Sequence, residues 1–414
     1  MSSAQIPGPR RRLLFVLPFP PRLDGAHGGA RVTAQLIHLL VGRHDVAALY
    51  LRAPDEPAID ERLAGQCAMV GEVAIPRNPP LRVRVARRVA PVRGIPAWAA
   101  FVALPEFARR LRELAASWHP DVVHFEYHVM GQYAAALGTH TASRVLTEYE
   151  AGVLAVREHL EHPRGRGSLA ARVQHRAWAR FERRVIAAMD AVIVFAERDR
   201  RALEPLAGGT PIVRIGLGTR LPPAPLDPLG SAPGPELLFV GSFTHAPNVD
   251  AALRLVEAIF PRVRARVPDA TLRIVGPDPP PRLTAAAADG VRVTGRVPDV
   301  TPWLNSAALV VAPLRLGGGM RVKILEALAH GKAIVASSRA TEELALEDGV
   351  QVAHAESDDE FVTAIVRLLR APEERRTLAT NARAWACTHL DEERWIAEYE
   401  AMYASLDATR RTRG

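Results

Sequence analysis

Cysteine and lysine are the scarcest reactive side chains of this 414-residue sequence, with two residues of each. The two cysteines, Cys67 and Cys387, exclude a framework of several disulfides and argue against a thiolate zinc cluster. Long apolar runs are also missing, since none reaches the roughly 18 to 20 residues that a membrane-spanning helix needs. These absences favour a folded protein of a reducing compartment, and we expect a cytoplasmic location.

The composition is ordinary for a globular enzyme, with 48% hydrophobic and 24% charged residues. A chain of this length predicts two domains or slightly more, each large enough for its own core. Near the amino end, three arginines precede the apolar run Leu13–Leu17 and superficially resemble a signal peptide. The run stops at Pro18 and no small-residue cleavage site follows, so we interpret it as a buried first strand.

Positive charge is concentrated in the amino half. Residues 1–234 hold 31 Arg and 21 acids, a net of +10, whereas residues 235–414 hold 22 basic residues and 24 acids, a net of −2. A basic half suits nucleic acid, anionic lipid or an acidic substrate, and a merely solubilising surface is the plain alternative. The arginines between Arg77 and Arg93 alternate with Val and Ala, which suggests peripheral contact with the cytoplasmic face of a membrane.

Apolar runs of strand length alternate with amphipathic segments of helix length, which is typical of parallel α/β sheets. Strands are predicted near 13–17, 45–50, 69–74, 121–125, 144–147, 190–195, 211–215, 236–240, 270–275, 290–293, 308–312, 332–336 and 349–352. Helices are predicted near 30–41, 97–117, 168–188, 197–205, 249–266, 299–305, 320–330, 357–370, 372–388 and 391–406. Six prolines between Leu221 and Pro235 predict a linker.

The predicted fold class is therefore α/β, with two doubly wound, Rossmann-like domains facing each other across a cleft. The first covers residues 1–220, the linker covers 221–235, the second domain covers 236–390, and a closing helix and tail occupy 391–414. Ligands of such folds bind at the carboxyl ends of the strands.

The stretch from Gly317 to Glu326 follows the predicted strand at 308–312 and opens an amphipathic helix. Its three glycines let a ligand approach the backbone, and a helix start offers free N–H groups with a positive dipole end. Arg321 and Lys323 are unfavourable there for the helix itself, which indicates that a bound polyphosphate offsets their charge. Glu326, one turn beyond Lys323, is spaced to accept hydrogen bonds from a ribose diol. The combination predicts a nucleotide site.

Residues 313–337 resemble the nucleotide-sugar motif of the family 4 retaining glycosyltransferases, which have the two-domain GT-B fold. Residues 237–250 resemble the opening of that family's donor domain, and residues 272–277 and 291–299 resemble its next two strand-turn units. The resemblance covers nearly all of 235–400 and, more loosely, 13–220. It implies that the second domain binds a nucleoside diphosphate sugar and that the first presents the acceptor.

By this resemblance Glu326 binds the ribose, while Arg321 and Lys323 neutralise the diphosphate and serve catalysis. Gly241 and Ser242 would face the diphosphate, and the backbone near Arg296 and Val297 would hold the base. The other implied donor-side residues are Gly317, Gly318, Gly319 and Met320. The family often has two glutamates eight positions apart, and here the earlier position is Gly318. The family's Arg and Lys after the first donor-domain strand are replaced by residues 244–248. The chain resembles a subgroup with Gly-Gly-Gly-x-Arg-x-Lys, in which the phosphate cations lie in the second loop.

In the amino half, residues 24–31 resemble the family's acceptor-side glycine loop, with Gly28 and Gly29, although a tight strand-to-helix turn would look the same. Residues 121–126 resemble the family's Asp-Val-Val-His segment and give His124 as a catalytic candidate and Glu126 as an acceptor-side residue. A lone histidine is more often structural. Tyr149 stands where the family has a histidine. Retaining transfer with front-side attack mainly needs the leaving diphosphate stabilised, so this substitution need not end catalysis.

The sequence therefore predicts a retaining, metal-independent hexosyltransferase that needs no cofactor beyond its nucleoside diphosphate sugar, with a UDP-sugar the first expectation and GDP-mannose the second. The expected acceptor is a glycan, a lipid-linked intermediate or a small molecule. No Asp-x-Asp at a strand end suggests a metal site. An inert nucleotide-binding GT-B subunit and a GT-B epimerase stay open as alternatives. Nucleic-acid binding would leave the Gly317–Glu326 motif unused, so no nucleic-acid partner is expected.

Overall fold

Two parallel sheets, one in each half of the chain, form the framework of the protein. The computed structural model describes residues 9–25, 28–161, 168–219, 221–287, 290–317 and 321–413, without the side chains of 159, 161 and 409–413. The sheets alternate with helices along the chain. This architecture confirms the predicted pair of doubly wound α/β domains.

The sheet of the amino-terminal domain has seven strands in the order β3-β2-β1-β4-β5-β6-β7. Its strands are β1 (Arg12–Leu17), β2 (Asp45–Arg52), β3 (Met69–Ala74), β4 (Val122–Glu126), β5 (Ser143–Glu148), β6 (Ala191–Val194) and β7 (Ile212–Arg214). The central β1 is buried on both faces from Leu13 to Leu17. This double burial explains why its sequence is a continuous apolar run.

Eight α-helices accompany this sheet in the described part of the chain. They are α1 (Gly28–Leu40), α2 (Glu61–Gln66), α3 (Leu81–Val89), α4 (Ala97–Val102), α5 (Pro105–Trp118), α6 (Gly152–Glu161), α7 (Leu169–Ile186) and α8 (Glu197–Leu203). Short 3₁₀ helices span Ala90–Arg93, His128–Leu137 and Glu204–Leu206. The single helix predicted over 97–117 is two helices, because Leu104 is extended and Pro105 starts α5 as its first residue.

The carboxyl-terminal sheet has six strands in the order β10-β9-β8-β11-β12-β13. They are β8 (Glu236–Val240), β9 (Thr271–Val275), β10 (Val291–Val293), β11 (Leu309–Ala312), β12 (Ile334–Ala336) and β13 (Ala353–His354). The last strand was predicted slightly earlier, at 349–352, where Gly349 instead has a positive φ of 74°. A left-handed residue of this kind suits a turn, and the strand begins after it.

The helices of this half are α9 (Ala246–Arg254), α10 (Phe260–Arg264), α11 (Pro281–Ala285), α12 (Thr301–Ser306), α13 (Val322–Ala329), α14 (Ser338–Thr341), α15 (Asp358–Arg370), α16 (Pro372–His389) and α17 (Glu392–Arg413). A π-helical turn over Leu255–Ile259 joins α9 to α10. No helix among the described residues is both long and apolar enough to cross a membrane.

The last helix, α17, returns to the amino-terminal domain. Trp395, Tyr399 and Tyr403 are buried in one apolar cluster with β1 and α1. Arg11, at the start of that domain, forms ion pairs with Glu400 and Asp407 of α17. The chain thus crosses between the domains twice, and α17 completes the core of the first domain.

Candidate active site

A cleft of about 220 Å³ lies between the two domains, at the carboxyl ends of both sheets. Its walls come from the segments that follow β1, β4 and β5 on one side and β8 and β11 on the other. This position agrees with the rule that ligands of doubly wound sheets bind beyond the carboxyl ends of the strands. Five of the residues predicted for the donor side border this cleft, namely Gly241, Ser242, Gly317, Arg321 and Lys323.

The amino ends of α1 and α13 face each other across the cleft. A β-carbon on Gly28, the first residue of α1, would lie 3.0 Å from Cγ2 of Val322, the first residue of α13. Arg321 precedes α13 and no side chain caps that helix. Two positive helix ends therefore point to one place, where they favour an anion such as a diphosphate.

Lys323 lines the cleft on the first turn of α13. Its Nζ donates to Oδ1 of Asn248 at 2.6 Å and lies 4.4 Å from the centre of the Phe239 ring. Burial and the positive charge of Arg321 lower the pKa of Lys323 to about 7. Asn248 is neutral and does not balance the charge of the lysine. An anion bound at the start of α13 would therefore stabilise the protonated form of Lys323.

Arg321 also borders the cleft, but its guanidinium turns back towards its own loop. Its Nη2 donates to the carbonyl of Gly317 at 2.9 Å and lies 3.8 Å from Glu342. Burial lowers the pKa of Arg321, although an arginine stays charged at neutral pH. Gly317 itself has a φ of +88°, and a β-carbon there would meet the Pro247 ring at 2.6 Å, so the turn requires glycine.

Glu326 lies one turn after Lys323 and pairs with the opposite domain. Its Oε1 is 3.3 Å from Nη2 of Arg31, which belongs to α1. Burial raises the pKa of Glu326, while Arg31 opposes that rise. Arg31 lines the cleft and Glu326 does not, so the carboxylate lies beside the cleft and is held there by a cation of the opposite domain.

Gly241 and Ser242 follow β8 and line the cleft as predicted. Asn248 supports them, because its Nδ2 donates to the carbonyl of Ser242 at 2.8 Å while its Oδ1 accepts from Lys323. A β-carbon on Gly241 would lie 2.8 Å from the Asn248 side chain. Asn248 therefore connects the segment after β8 to Lys323, the cation in the segment after β11. The sequence did not predict this role.

A smaller cavity of about 50 Å³ adjoins the cleft beside Gly241 and Ser242. Arg296 and Val297, predicted to hold the base, line this cavity. The Nη2 of Arg296 donates to the carbonyl of Asp24 at 3.2 Å, a second contact between the domains. The structure thus brings the predicted base-binding segment next to the predicted diphosphate-binding segment.

Tyr149 lines the opposite wall with its ring. Its hydroxyl donates to Oε2 of Glu126 at 2.7 Å and lies 2.6 Å from Oγ1 of Thr33, so it is engaged below the cleft surface. The ring stacks on Tyr127 with centroids 4.0 Å apart. Glu126 is fully buried and does not line the cleft. Its part in the site is therefore to hold Tyr149.

Tyr127 was not predicted as a site residue, yet it borders the cleft. Its φ is +69°, an uncommon value for a residue with a β-carbon. A β-carbon on Gly29 would lie 1.7 Å from its hydroxyl, so the tyrosine requires glycine at the start of α1. Such strained residues concentrate at functional sites.

His124, predicted as a catalytic candidate, is not brought to the cleft. It is fully buried in β4, stacks on Phe15 at 4.7 Å between ring centroids, and its Nε2 bonds with the Tyr403 hydroxyl at 2.8 Å. The catalytic role proposed for it does not fit this position, because α17 covers the side chain. Gly318, Gly319 and Met320 lie outside the described residues.

Two buried carboxylates hold the loop that carries Tyr149 and Glu150. Glu182 of α7 accepts from the backbone N–H of Gly152 at 2.6 Å, and Asp199 of α8 accepts from that of Ala151 at 3.1 Å. Burial and nearby Glu148 raise the pKa of Glu182 to about 8. The loop is therefore held from beneath by two buried carboxyl groups, and Glu150 lies at the cleft.

Comparisons with known proteins agree with this geometry. Residues 234–371 match the family described as Glycosyl transferases group 1. No curated relative matches the chain.

Solved structures with the same fold cover almost the whole chain. A sucrose-phosphate synthase from Thermosynechococcus elongatus is 17% identical, with a TM-score of 0.75 over 96% of this chain and 100% of its own. Anabaena HepE in complex with UDP and glucose is 14% identical, with a TM-score of 0.66 over 96% and 100% of the two chains. A glycosyltransferase from Rickettsia africae is 12% identical, with a TM-score of 0.64 over 96% and 98%.

These likenesses confirm the GT-B fold that was predicted from the sequence. The family match covers the domain that carries Lys323 and Glu326, the two residues at the centre of the predicted nucleotide site. Together, the match and the fold support a GT-B glycosyltransferase of the group 1 type.

Proposed function

We propose that this protein transfers a sugar from a nucleoside diphosphate sugar to an acceptor, with retention of configuration and with a UDP-sugar as the preferred donor. The observation that carries the proposal is the convergence of two helix amino ends with Lys323 and Arg321 on one cleft. Glu326, the proposed ribose ligand, follows Lys323 by one turn of α13 and pairs with Arg31, which lines the cleft. The UDP and glucose bound by HepE support the choice of donor, and GDP-mannose is the second choice.

The proposed chemistry follows from where charge develops. As the bond between sugar and diphosphate breaks, negative charge grows on the diphosphate, and preorganised donors there lower the barrier. Lys323 and the start of α13 supply such donors, in a role that a metal ion fills elsewhere. Among the described residues, the cluster of possible metal ligands is His128, Glu148 and Glu182. It does not line the cleft. The proposed transfer is metal-independent because Lys323, Arg321 and the helix amino ends serve the diphosphate instead.

A peripheral contact with an anionic membrane surface is the second part of the proposal. None of the nine residues of α3, all of them described, is buried. Leu81 and Val85 expose 72% and 53% of their surface on one side of the helix, and Val92 just beyond it exposes 75%. Arginines flank these apolar residues along α3. An exposed apolar face bordered by arginines suits the interface of a lipid bilayer, where a lipid-linked acceptor would lie.

The transfer is tested with a panel of UDP-glucose, UDP-galactose, UDP-N-acetylglucosamine and GDP-mannose, with water as the acceptor. Mass spectrometry should detect hydrolysis of one UDP-sugar, and proton NMR should show that the first free sugar has the anomeric configuration of the donor. Release of the opposite anomer would refute retention.

The same panel separates the alternatives. Binding of UDP by the intact protein without turnover of any donor, even with membrane lipid extracts added, would indicate the inert subunit. Conversion of one UDP-sugar to its epimer without an acceptor would indicate the epimerase. Either result would overturn the proposed transfer.

A further inference from the structure

Arg198 connects the two domains next to Gly317, the first glycine of the predicted donor motif. It belongs to α8 of the amino-terminal domain, and its Nη1 donates to the carbonyl of Gly317 at 3.1 Å and to Oε2 of Glu342 at 3.2 Å. Its Nη2 donates to Glu158 of its own domain at 2.7 Å. One guanidinium therefore connects α6 and α8 with two separate loops of the opposite domain.

The backbone of Arg198 takes part in the same contact. Its N–H donates to Oε1 of Glu343 at 3.1 Å. Glu343 has a φ of +74° and Ala345 a φ of +47°, both uncommon for residues with a β-carbon. Conformations of this kind persist when the surrounding structure fixes them. The loop after α14 is thus held in an unfavourable shape that directs two neighbouring glutamates to Arg198.

The carbonyl of Gly317 is the point where this contact meets the donor site. It accepts from Arg198 at 3.1 Å and from Arg321 at 2.9 Å. Two cations on one carbonyl fix the direction of the backbone just before Gly318. Arg198 also adds positive charge near Arg321, which disfavours the charged form of Arg321 and is balanced by Glu342.

We propose that Arg198 is a positioning residue that couples closure of the two domains to the position of the Gly317 carbonyl and, through it, of Arg321. Arg198 does not line the cleft, so it acts through Gly317 and Arg321 and not on the substrate. When the domains separate, the carbonyl of Gly317 loses one of its two donors, and Glu342 loses Arg198 while it keeps Arg339 at 3.0 Å. Arg321, which shares the Gly317 carbonyl with Arg198, is then less firmly held for the diphosphate. The catalytic consequence rests on the proposed sugar transfer.

The test compares Arg198→Gln with a matched control, Arg201→Gln. Arg201 lies on the same helix, is 74% exposed at its side chain and pairs with Glu197 within α8. Hydrogen bonds to charged groups contribute roughly 1.5–3 kcal/mol, so turnover of the UDP-sugar by Arg198→Gln should fall about 10- to 100-fold. The affinity for UDP should fall less than threefold, because Arg198 is outside the cleft. Arg201→Gln should match the wild type in both.

Two further measurements separate positioning from damage to the fold. Arg198→Lys keeps a cation that can reach one of the two acceptors, and it should recover part of the lost turnover. Small-angle X-ray scattering of the free protein should give a larger radius of gyration for Arg198→Gln than for the wild type and Arg201→Gln. This comparison needs no substrate, so it stands even where the wild type turns over no donor.

Unchanged turnover of Arg198→Gln with an active wild type would overturn the inference. An unchanged radius of gyration would also overturn it. A wild type that neither binds UDP nor hydrolyses any donor would instead refute the proposed function.

Discussion

Binding of UDP should be accompanied by uptake of a proton on Lys323. The pKa of this lysine is about 7 in the free protein, because burial and Arg321 disfavour its charge. A diphosphate beside its Nζ favours the charged form and raises the pKa towards the ordinary lysine value. Since the ligand prefers the protonated protein, the affinity for UDP should fall as the pH rises above 7.

The magnitude follows from the size of the shift. If the bound pKa reaches at least about 9, roughly 0.8 proton is taken up at pH 8. Between pH 7 and pH 9 the affinity then falls about 25-fold, which corresponds to about 1.9 kcal/mol. The histidine and the tyrosines of the cleft do not titrate there: burial lowers the pKa of His245 and raises the pKa of Tyr127 and Tyr149. The second phosphate ionisation, near 6, is complete.

Isothermal titration calorimetry at pH 8, in buffers of different ionisation enthalpy, measures this uptake directly. Lys323→Met is the control, and it should bind UDP without proton uptake and with an affinity independent of pH from 7 to 9. Its turnover should fall more than its donor affinity, since charge grows in the transition state. Equal binding enthalpies in all buffers for the wild type would refute the assignment of Lys323 to the diphosphate.

Two other predictions concern α17 and α3. Trp395→Ala should lower the free energy of unfolding by about 3–5 kcal/mol, because it removes a large side chain, only 2% exposed, from the core of the amino-terminal domain. Chemical denaturation measures this loss of stability. A loss under 1 kcal/mol would contradict the packing of α17. Arg82, Arg84 and Arg88 changed together to Gln should reduce flotation with phosphatidylserine liposomes at low salt, at about 1 kcal/mol for each arginine. The control variant changes Arg292, Arg367 and Arg376 together to Gln. Equal flotation of the two variants would contradict the proposed contact of α3 with a lipid surface.

The parts of the fold that the sequence predicts well are those with local signals. Buried parallel strands such as β1 are continuous apolar runs, and glycines beside the cations Arg321 and Lys323 mark a helix start that binds an anion. The fold class and the anion-binding role of Arg321 and Lys323 follow from these signals, whereas the other donor-side residues were implied by the family resemblance.

The remaining features depend on contacts between distant parts of the chain. His124 lies in a strand whose five residues are all buried, so no alternation of polar and apolar residues tells which side chain meets the cleft. Its cover is α17, about 280 residues further along the chain. Arg198 sits in a charged helix that resembles any exposed helix, and its partners at Gly317 and Glu342 follow more than 100 residues later. The sequence gives only weak evidence for the role of Asn248 in the site, because it shows no more than that this residue follows a strand and a turn.

The most direct test of the nucleotide site is the affinity of Glu326→Gln for UDP, measured by calorimetry against the wild type. Glu347→Gln, which changes an exposed glutamate of the same domain, is the control. If Glu326 accepts from the ribose, its loss of charge should weaken binding about 10- to 100-fold, as expected for roughly 1.5–3 kcal/mol. Circular dichroism should show an unchanged fold. If the affinity of Glu326→Gln for UDP stays within twofold of the wild-type value, the assignment of Glu326 to the ribose, which is the central claim of the nucleotide site, is contradicted.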